Sequence, residues 1–204
     1  MEWVLASGNR KKLAELADIL APLGVTVRPQ SDFEVPDAEE TGLTFVENAI
    51  IKARHAARLT GLPAISDDSG LEVDALQGAP GIYSARFAGP AASDADNNRK
   101  LVDSLRALPD APRRARYQCV IVFMRHADDP VPVICQGSWE GEIQLTPTGD
   151  GGFGYDPHFF VPEAGCSAAE MAPRDKHRLS HRGKALSQFM AIAKERLIDA
   201  VNTN

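Results

Sequence analysis

The sequence predicts an α/β fold in which a mixed, twisted central sheet is flanked by helices and two lobes enclose a cleft. Strands, polar turns and helices alternate in the first part of the chain, which is typical of α/β proteins. The strands predicted in the second part follow one another through short connections, which favour antiparallel pairing. Of the 204 residues, 44% are apolar, enough for a packed core. We therefore expect a single domain spanning residues 1–204.

The first strand and helix follow directly from hydrophobic periodicity. Residues 3–6 are a short apolar run that predicts a buried strand, and apolar residues recur at helical spacing over 10–20. Pro22 and Gly24 favour the end of that helix. Residues 25–27 predict a second strand.

Two further helices are predicted from capping residues. Thr44 and Glu47 match a capping box, and a long helix is predicted after them. Ser93 and Asp96 form a second such pair, which opens a helix that ends near Leu105.

The remaining elements are mostly strands. Residues 62–66 predict a strand that runs directly into a polar turn, Asp67-Asp68-Ser69-Gly70. Later segments have the apolar and β-branched content of strands; they are 115–124, 131–140, 142–145 and 159–161. An amphipathic pattern over 180–201 predicts a closing helix.

Charge and composition limit the functional classes. Lys and Arg number 22 against 28 Asp and Glu, and the net charge of -6 argues against a broad contact with nucleic acid but allows a small anionic ligand. No apolar stretch approaches the roughly 20 residues of a membrane span, and no leader pattern opens the sequence. Three cysteines without a Cys-x-x-Cys pair favour reduced thiols. We predict a cytoplasmic protein that binds neither nucleic acid nor membrane.

A basic turn stands between the first predicted strand and helix. It reads Ser7-Gly8-Asn9-Arg10-Lys11-Lys12. A helix start binds phosphate through its unpaired amides and dipole, Gly8 allows close backbone approach, and Lys12 can reach a phosphate oxygen. We expect a phosphate contact here, although the Walker A spacing is missing. An ordinary turn with a solvated basic first turn is the alternative.

Two adjacent carboxylates, Asp67 and Asp68, follow the third predicted strand. Ligands of open α/β sheets bind beyond the carboxyl ends of strands, and Mg²⁺ takes one or two carboxylates together with substrate phosphates and water. A carboxylate beside the ion can also deprotonate an attacking water. An acidic turn that caps the next element is the alternative. Glu39-Glu40 alone indicates a solvated loop, and gains significance if the fold brings Glu40 next to Asp68.

Two later segments could bind a planar base. Flexible glycines around Phe153 in the segment 149–157 would let a ring stack on it while Asp156 reads the ring edge. Lys176 and the segment Ser180-His181-Arg182-Gly183 carry donors that select a purine 6-oxo group over the 6-amino group of adenine. A tight strand connection and a capped helix start are the respective alternatives.

Taken together, the motifs resemble those of the inosine triphosphate pyrophosphatase family, in particular its bacterial members. The resemblance rests on six ordered segments: SGNRKK at 7–12, EETGLTFVENAIIKA at 39–53, ISDDSGLEVDAL at 65–76, GAPGIYSARFAG at 78–89, GGFGYDP at 151–157 and SHRGKAL at 180–186. It implies an elongated mixed central sheet, two lobes with a central active-site cleft, and a homodimer.

The resemblance also implies roles for individual residues. Glu40 and Asp68 would bind Mg²⁺, Asp68 would accept the proton of the attacking water, and Ser69 would touch the substrate. The implied triphosphate contacts are Ser7, Gly8, Asn9, Arg10, Lys11 and Lys12. The implied base pocket consists of Phe153, Gly154, Tyr155, Asp156, Lys176, His181 and Arg182.

The implied activity is hydrolysis of deaminated purine nucleoside triphosphates (ITP, dITP and XTP) to the monophosphate and pyrophosphate, which would keep them out of DNA and RNA. Water would attack the α-phosphorus in line, with Mg²⁺ and Lys12 stabilising charge on the leaving group. Two alternatives stay open on the residues alone: a pyrophosphatase or phosphatase for other modified nucleotides, and a nucleotide-binding regulator without catalysis.

Overall fold

The structure, a computed structural model, describes residues 1–198 of the chain. These residues form two compact units. The first unit contains Met1–Asp68, Val120–Gln136 and the described part of Ala185–Asn204. The second contains Ser69–Cys119 and Gly137–Lys184. No helix in residues 1–198 is both long enough and apolar enough to span a membrane.

A single mixed sheet confirms the predicted α/β fold. Its strands are β1 (Glu2–Leu5), β2 (Thr26–Pro29), β3 (Ala64–Val73), β4 (Arg114–Met124), β5 (Val133–Ile143), β6 (Phe159–Val161) and β7 (Cys166–Ser167). Their order in the sheet is β2-β1-β3-β4-β5-β6-β7. Strand β1 pairs in parallel with β2 and β3, whereas β6 pairs antiparallel with β5 and β7.

Two of the helices in the described residues begin where capping residues were predicted. The helices are α1 (Arg10–Leu20), α2 (Phe45–Thr60), α3 (Asp94–Arg106), α4 (Pro173–Leu179) and α5 (His181–Ile192), followed by a π-helical segment, Ala193–Ile198. Thr44 caps α2 by accepting a hydrogen bond from the Glu47 amide. Ser93 and Asp96 form the complete reciprocal capping box of α3. Short 3₁₀ segments join several elements, among them Gly81–Arg86 and Asp156–His158.

The structure differs from the sequence predictions in three details. The polar turn predicted at 67–70 is part of β3, because neighbouring strands supply the hydrogen bonds that a turn would otherwise make for itself. The two strands predicted at 131–140 and 142–145 are one strand, β5. A short helix, α4, was not predicted; it directly precedes the closing helix predicted at 180–201, which is α5 continued by the π-helical segment. The end of that predicted range, 199–201, lies outside the described residues.

Each unit has its own packed core. In the first, the small residues of α2 allow it to pack closely; Ala56 and Ala57 lie against β1 and β3, and Ala49 and Ala53 lie against β4. In the second, Tyr117, Trp139 and Phe159 form an aromatic cluster.

Candidate active site

The basic turn lies between β1 and α1, as predicted. Asn9 is the N-cap of α1, and its Oδ1 accepts hydrogen bonds from the Lys11 and Lys12 amides at 2.9 and 3.3 Å. The Ser7 hydroxyl accepts from the Asn9 amide at 3.2 Å. A Cβ at Gly8 would meet no atom within 4 Å, so the space above this glycine is open. The first helical amides are therefore capped by the chain itself, while the surface of the turn is accessible to a ligand.

Strand geometry sends the two aspartates in opposite directions. Because successive side chains of a strand point to opposite faces, Asp67 and Asp68 meet different partners. The buried Asp67 carboxylate accepts from Lys12 Nζ at 2.7 Å. The Asp68 carboxylate accepts from Lys52 Nζ, also at 2.7 Å.

Lys52 joins the two carboxylates that were predicted to bind metal. Its Nζ lies 2.9 Å from Glu40 Oε1 and 2.7 Å from Asp68 Oδ1, so one cation contacts both groups. Glu40 and Asp68 are far apart in sequence, and α2 brings them together by presenting Lys52. The side chains of Lys52 and Asp68 are largely buried, at 16% and 13% exposure.

Burial and charge oppose each other at this cluster. Burial raises the pKa of the Asp68 carboxyl, Lys52 partly offsets this effect, and the charges of Glu40 and Asp67 raise it further. Burial alone would lower the pKa of Lys52, but Asp68 and Glu40 raise it overall. Lys52 is therefore a stable cation, and Asp68 is a more basic carboxylate than an exposed aspartate.

The chemistry of this acidic cluster suits a magnesium ion. Mg²⁺ prefers hard oxygen ligands and often takes only one or two protein carboxylates, with phosphate and water completing its coordination. Glu40 and Asp68 provide two such carboxylates within reach of one cation, Lys52 Nζ. In residues 1–198, no cluster of three or more His, Cys, Asp or Glu side chains could hold a metal.

In the second unit, Phe153 presents its ring to solvent at the tip of the glycine-rich loop. Its exposed fraction is 71%, although its backbone is tightly held. The Phe153 amide donates to Asp156 Oδ2 at 2.7 Å. Gly152 has a φ of 76°, and a Cβ there would lie 2.2 Å from Asp156 Oδ2, so only glycine fits.

Asp156 organises the surroundings of this ring. It is buried and accepts from Lys176 Nζ at 2.5 Å and from the Tyr117 hydroxyl at 3.3 Å. Lys176 Nζ also lies 5.3 Å from the centre of the Phe153 ring. An exposed aromatic face, a cation and a buried carboxylate thus lie together. Lys176 lies on α4, the helix before the one that begins at His181.

His181 and Arg182 form the first turn of α5. The His181 ring stacks on Tyr117, with centroids 4.8 Å apart and planes at 15°. Both side chains are partly exposed. Gly183 makes this helix start possible, because a Cβ there would lie 1.7 Å from the His177 carbonyl oxygen.

Two predicted contacts occupy settings that the sequence did not suggest. Tyr155 is buried in the core of its unit, and its hydroxyl donates to the Ser84 carbonyl oxygen at 2.7 Å. Its burial raises the pKa of that hydroxyl. Ser69 lies within β3 and is exposed. The side chain of Tyr155 therefore supports the loop from below instead of presenting a face to a base.

Lys52 and Tyr117 were missed in the sequence analysis, and Asp67 was treated as equivalent to Asp68. Lys52 and Tyr117 lie within a helix and a strand whose polar positions read as ordinary surface. Strand alternation would have separated the two aspartates if the segment had been recognised as a continuous strand. No signal in the sequence alone pairs Lys52 with Glu40.

Comparison with known proteins gives a consistent result over almost the whole chain. A model of the Ham1 family matches residues 3–192. The dITP/XTP pyrophosphatase of Vibrio cholerae serotype O1 is 60% identical over 194 residues, which cover 95% of this chain and 97% of the relative. The dITP/XTP pyrophosphatase of Shewanella oneidensis is 61% identical over 193 residues, covering 95% and 94%.

Solved structures agree with the sequence matches. A HAM1 protein from Coxiella burnetii is similar with a TM-score of 0.93 at 53% identity, covering 96% of this chain and 99% of that one. The Staphylococcus aureus Ham1 protein has a TM-score of 0.88 at 40% identity, with the same coverage. The family resemblance predicted from the motifs is thereby confirmed. The chain belongs to the Ham1 family.

Proposed function

We propose that this chain hydrolyses the deaminated purine nucleoside triphosphates ITP, dITP and XTP to the monophosphate and pyrophosphate. The observation that carries the proposal is the cluster in which Lys52 contacts both Glu40 and Asp68, with Lys12 bonded to the adjacent Asp67. Full-length relatives named dITP/XTP pyrophosphatase support the substrate class.

Asp68 is the group that accepts the proton of the attacking water. Its pKa is raised by burial, so the carboxylate is a better base than a solvated aspartate. Lys52 holds its Oδ1 at 2.7 Å and so fixes the orientation of the carboxylate. Simple nucleotide binding needs no such buried, oriented base, which favours an enzyme over a catalytically silent regulator.

The phosphate contacts come from the turn before α1. Lys12 donates to a phosphate oxygen, and Ser7, Gly8, Asn9, Arg10 and Lys11 line the open surface of the turn. Because the side-chain oxygen Oδ1 of Asn9 already caps α1, the side-chain nitrogen Nδ2 is the group left to donate to the ligand. Ser69, exposed on β3, adds a hydroxyl contact.

Glu40 and Asp68 are the residues that would hold Mg²⁺. When bound, the ion supplies positive charge that offsets the charge of the phosphate oxygens. Lys52, which contacts both carboxylates, would share them with the ion, and its flexible stem permits this.

Base recognition lies with the second unit. Phe153 supplies the stacking face, while Gly154 and Asp156 shape its loop and Tyr155 supports it from the core. Lys176, His181 and Arg182 offer donors to the 6-oxo group, which an adenine amino group cannot satisfy. We further propose that the protein is a homodimer in the cytoplasm, where the buried thiols of Cys119 and Cys135 stay reduced.

A substrate panel with Mg²⁺ tests this function. Purified protein is given ITP, dITP, XTP, ATP, GTP and a pyrimidine triphosphate, and pyrophosphate release is measured. We expect turnover of the first three and little turnover of the others. Preferred hydrolysis of a pyrimidine nucleotide, or tight ITP binding without pyrophosphate release, would refute the proposal.

A further inference from the structure

The backbone beneath the exposed Phe153 is held by two side chains of a different element. The Gly154 amide donates to Asp94 Oδ2 at 2.7 Å, and Asn98 Nδ2 donates to the Gly154 carbonyl oxygen at 2.8 Å. Asp94 and Asn98 are four residues apart on α3, so they project from the same helix face. Both polar groups of one loop residue are thus bound by one helix.

The bonds of this loop leave Phe153 little backbone freedom. Its amide is bound by Asp156 at 2.7 Å, and its carbonyl accepts from the Asp156 amide at 3.3 Å. The glycines on either side have positive φ angles, 76° at Gly152 and 61° at Gly154. Holding this backbone rigid does not help the Phe153 ring to stabilise the fold, because the ring is 71% exposed. A rigid platform does benefit ligand binding, because less ordering is needed when the ligand arrives.

We propose that Asp94 and Asn98 are positioning residues that hold Phe153 ready to stack on the purine base. This inference rests on the proposed function and extends it to two residues of α3 that neither touch a base nor belong to the recognised motifs. Asp94 is also close enough to Tyr155 to raise the pKa of its buried hydroxyl, after the larger effect of burial. Helix α3 therefore holds the loop at Gly154, the residue that directly follows Phe153.

The effect on kinetics should be confined to binding of the base. Stacking on a preformed platform contributes equally to the ground state and the transition state, so its loss raises KM and leaves kcat unchanged. A general structural defect would instead lower the active fraction and reduce kcat.

The test uses nearly isosteric variants. Asn98→Asp replaces the amide donor with an acceptor that faces the Gly154 carbonyl, and we expect KM for ITP to rise about tenfold with unchanged kcat. Asp94→Ala removes the acceptor for the Gly154 amide and should act in the same direction. Asp94→Asn keeps an acceptor and should restore KM towards the wild-type value. Asp103→Asn, whose carboxylate pairs with Arg106 on the exposed side of α3, is the matched control and should not change KM.

Combination with Phe153→Ala decides the mechanism. If Asn98 acts through Phe153, then Asn98→Asp adds nothing to KM in the Phe153→Ala background. If the two changes multiply their effects on KM, or if Asn98→Asp lowers kcat at constant KM, the inference about Asn98 is wrong. The proposed function still holds in that case, as long as the wild-type protein hydrolyses ITP. A wild-type protein that does not hydrolyse ITP would overturn both. If Asn98→Asp does not fold, Asp94→Ala in the same cycle gives the same decision.

Discussion

Asp68 shows how burial and a single lysine create a useful base at the residue scale. Burial raises the pKa of its carboxyl, while Lys52 partly offsets that effect and fixes the position of Oδ1. An exposed aspartate would have neither property. The proton-accepting role that we propose for Asp68 therefore depends on the environment of the side chain and not only on its identity.

Replacing the base tests this role. We expect Asp68→Asn to lower kcat for ITP by about 10²- to 10⁴-fold, because the amide cannot accept the proton of water. Nucleotide affinity, measured by calorimetry, should change little. Asp18→Asn removes an exposed carboxylate from α1 and serves as the control. Near-normal turnover of Asp68→Asn would exclude Asp68 from proton transfer.

We propose that selectivity for the 6-oxo group also depends on individual side chains. We expect Arg182→Ala to reduce the preference for ITP over ATP, measured as the ratio of their kcat/KM values, by about 10- to 100-fold. The guanidinium donates but cannot accept, so its loss removes a contact that only the oxo group makes. An unchanged ratio would assign selectivity to other donors.

At this scale the sequence was informative about residue types but not about their partners. The contact of Lys12 with Asp67 and the Lys52 contact with Glu40 both join positions distant in sequence, and no local pattern encodes them. Asp67 and Asp68 looked equivalent as neighbours. Only the pleat of β3 separates them, and the continuation of β3 depends on strands elsewhere in the chain.

At the scale of elements, the corner between α4 and α5 depends on one glycine. Because a Cβ at Gly183 would lie 1.7 Å from the His177 carbonyl oxygen, we expect Gly183→Ala to reduce the free energy of unfolding by about 3 kcal/mol. Urea denaturation measures this loss. Gly8→Ala is the contrasting variant: its Cβ meets nothing within 4 Å, so its stability should be normal. Equal stability of the two variants would contradict the packing argument.

The connection between β4 and β5 is held by a buried carboxylate. Asp129 accepts from the Arg125 and Val131 amides at 3.0 and 3.1 Å and from the Arg125 guanidinium, and these bonds lower the pKa of its carboxyl. We expect Asp129→Asn to reduce the free energy of unfolding by about 1–2 kcal/mol at neutral pH.

The pH dependence of this effect follows from the direction of the shift. The folded-state pKa of Asp129 is lower than the pKa of an unfolded aspartate, which is near 3.9. The stability contributed by the Asp129 carboxylate is therefore complete above about pH 3.9. It is lost as the pH falls through the lower folded-state pKa. Unfolding curves of wild type and Asp129→Asn should therefore converge below about pH 4. A difference that persists unchanged under acid conditions would refute this account.

Element boundaries were predicted well where capping chemistry is local. The start of α1 at Arg10 and of α3 at Asp94 follow from Asn9 and Ser93, which act on amides a few residues away. Predictions were wrong where a glycine or polar run was read as a break. Gly141 was read as a break but lies inside β5. Glycine is required there because a Cβ would lie 2.5 Å from the Phe159 ring, and no window of sequence contains this long-range contact.

At the scale of the molecule, phosphate chemistry and base recognition are assigned to different compact units. The Lys12, Lys52 and Asp68 contacts belong to the first unit, and the Phe153 and Asp156 contacts to the second. The covalent link between them includes β3, which passes from one unit to the other between Asp68 and Ser69. The six ordered motifs contain all of these residues because their order extends over both units, although the role of Lys52 was not predicted.

We propose that water, activated by Asp68, attacks the α-phosphorus of the nucleotide. Hydrolysis of ITP in water enriched in a heavy oxygen isotope, followed by mass spectrometry of both products, tests this attack. We expect the label to enter IMP while pyrophosphate stays unlabelled. Label in pyrophosphate, or the formation of IDP and phosphate, would rule it out.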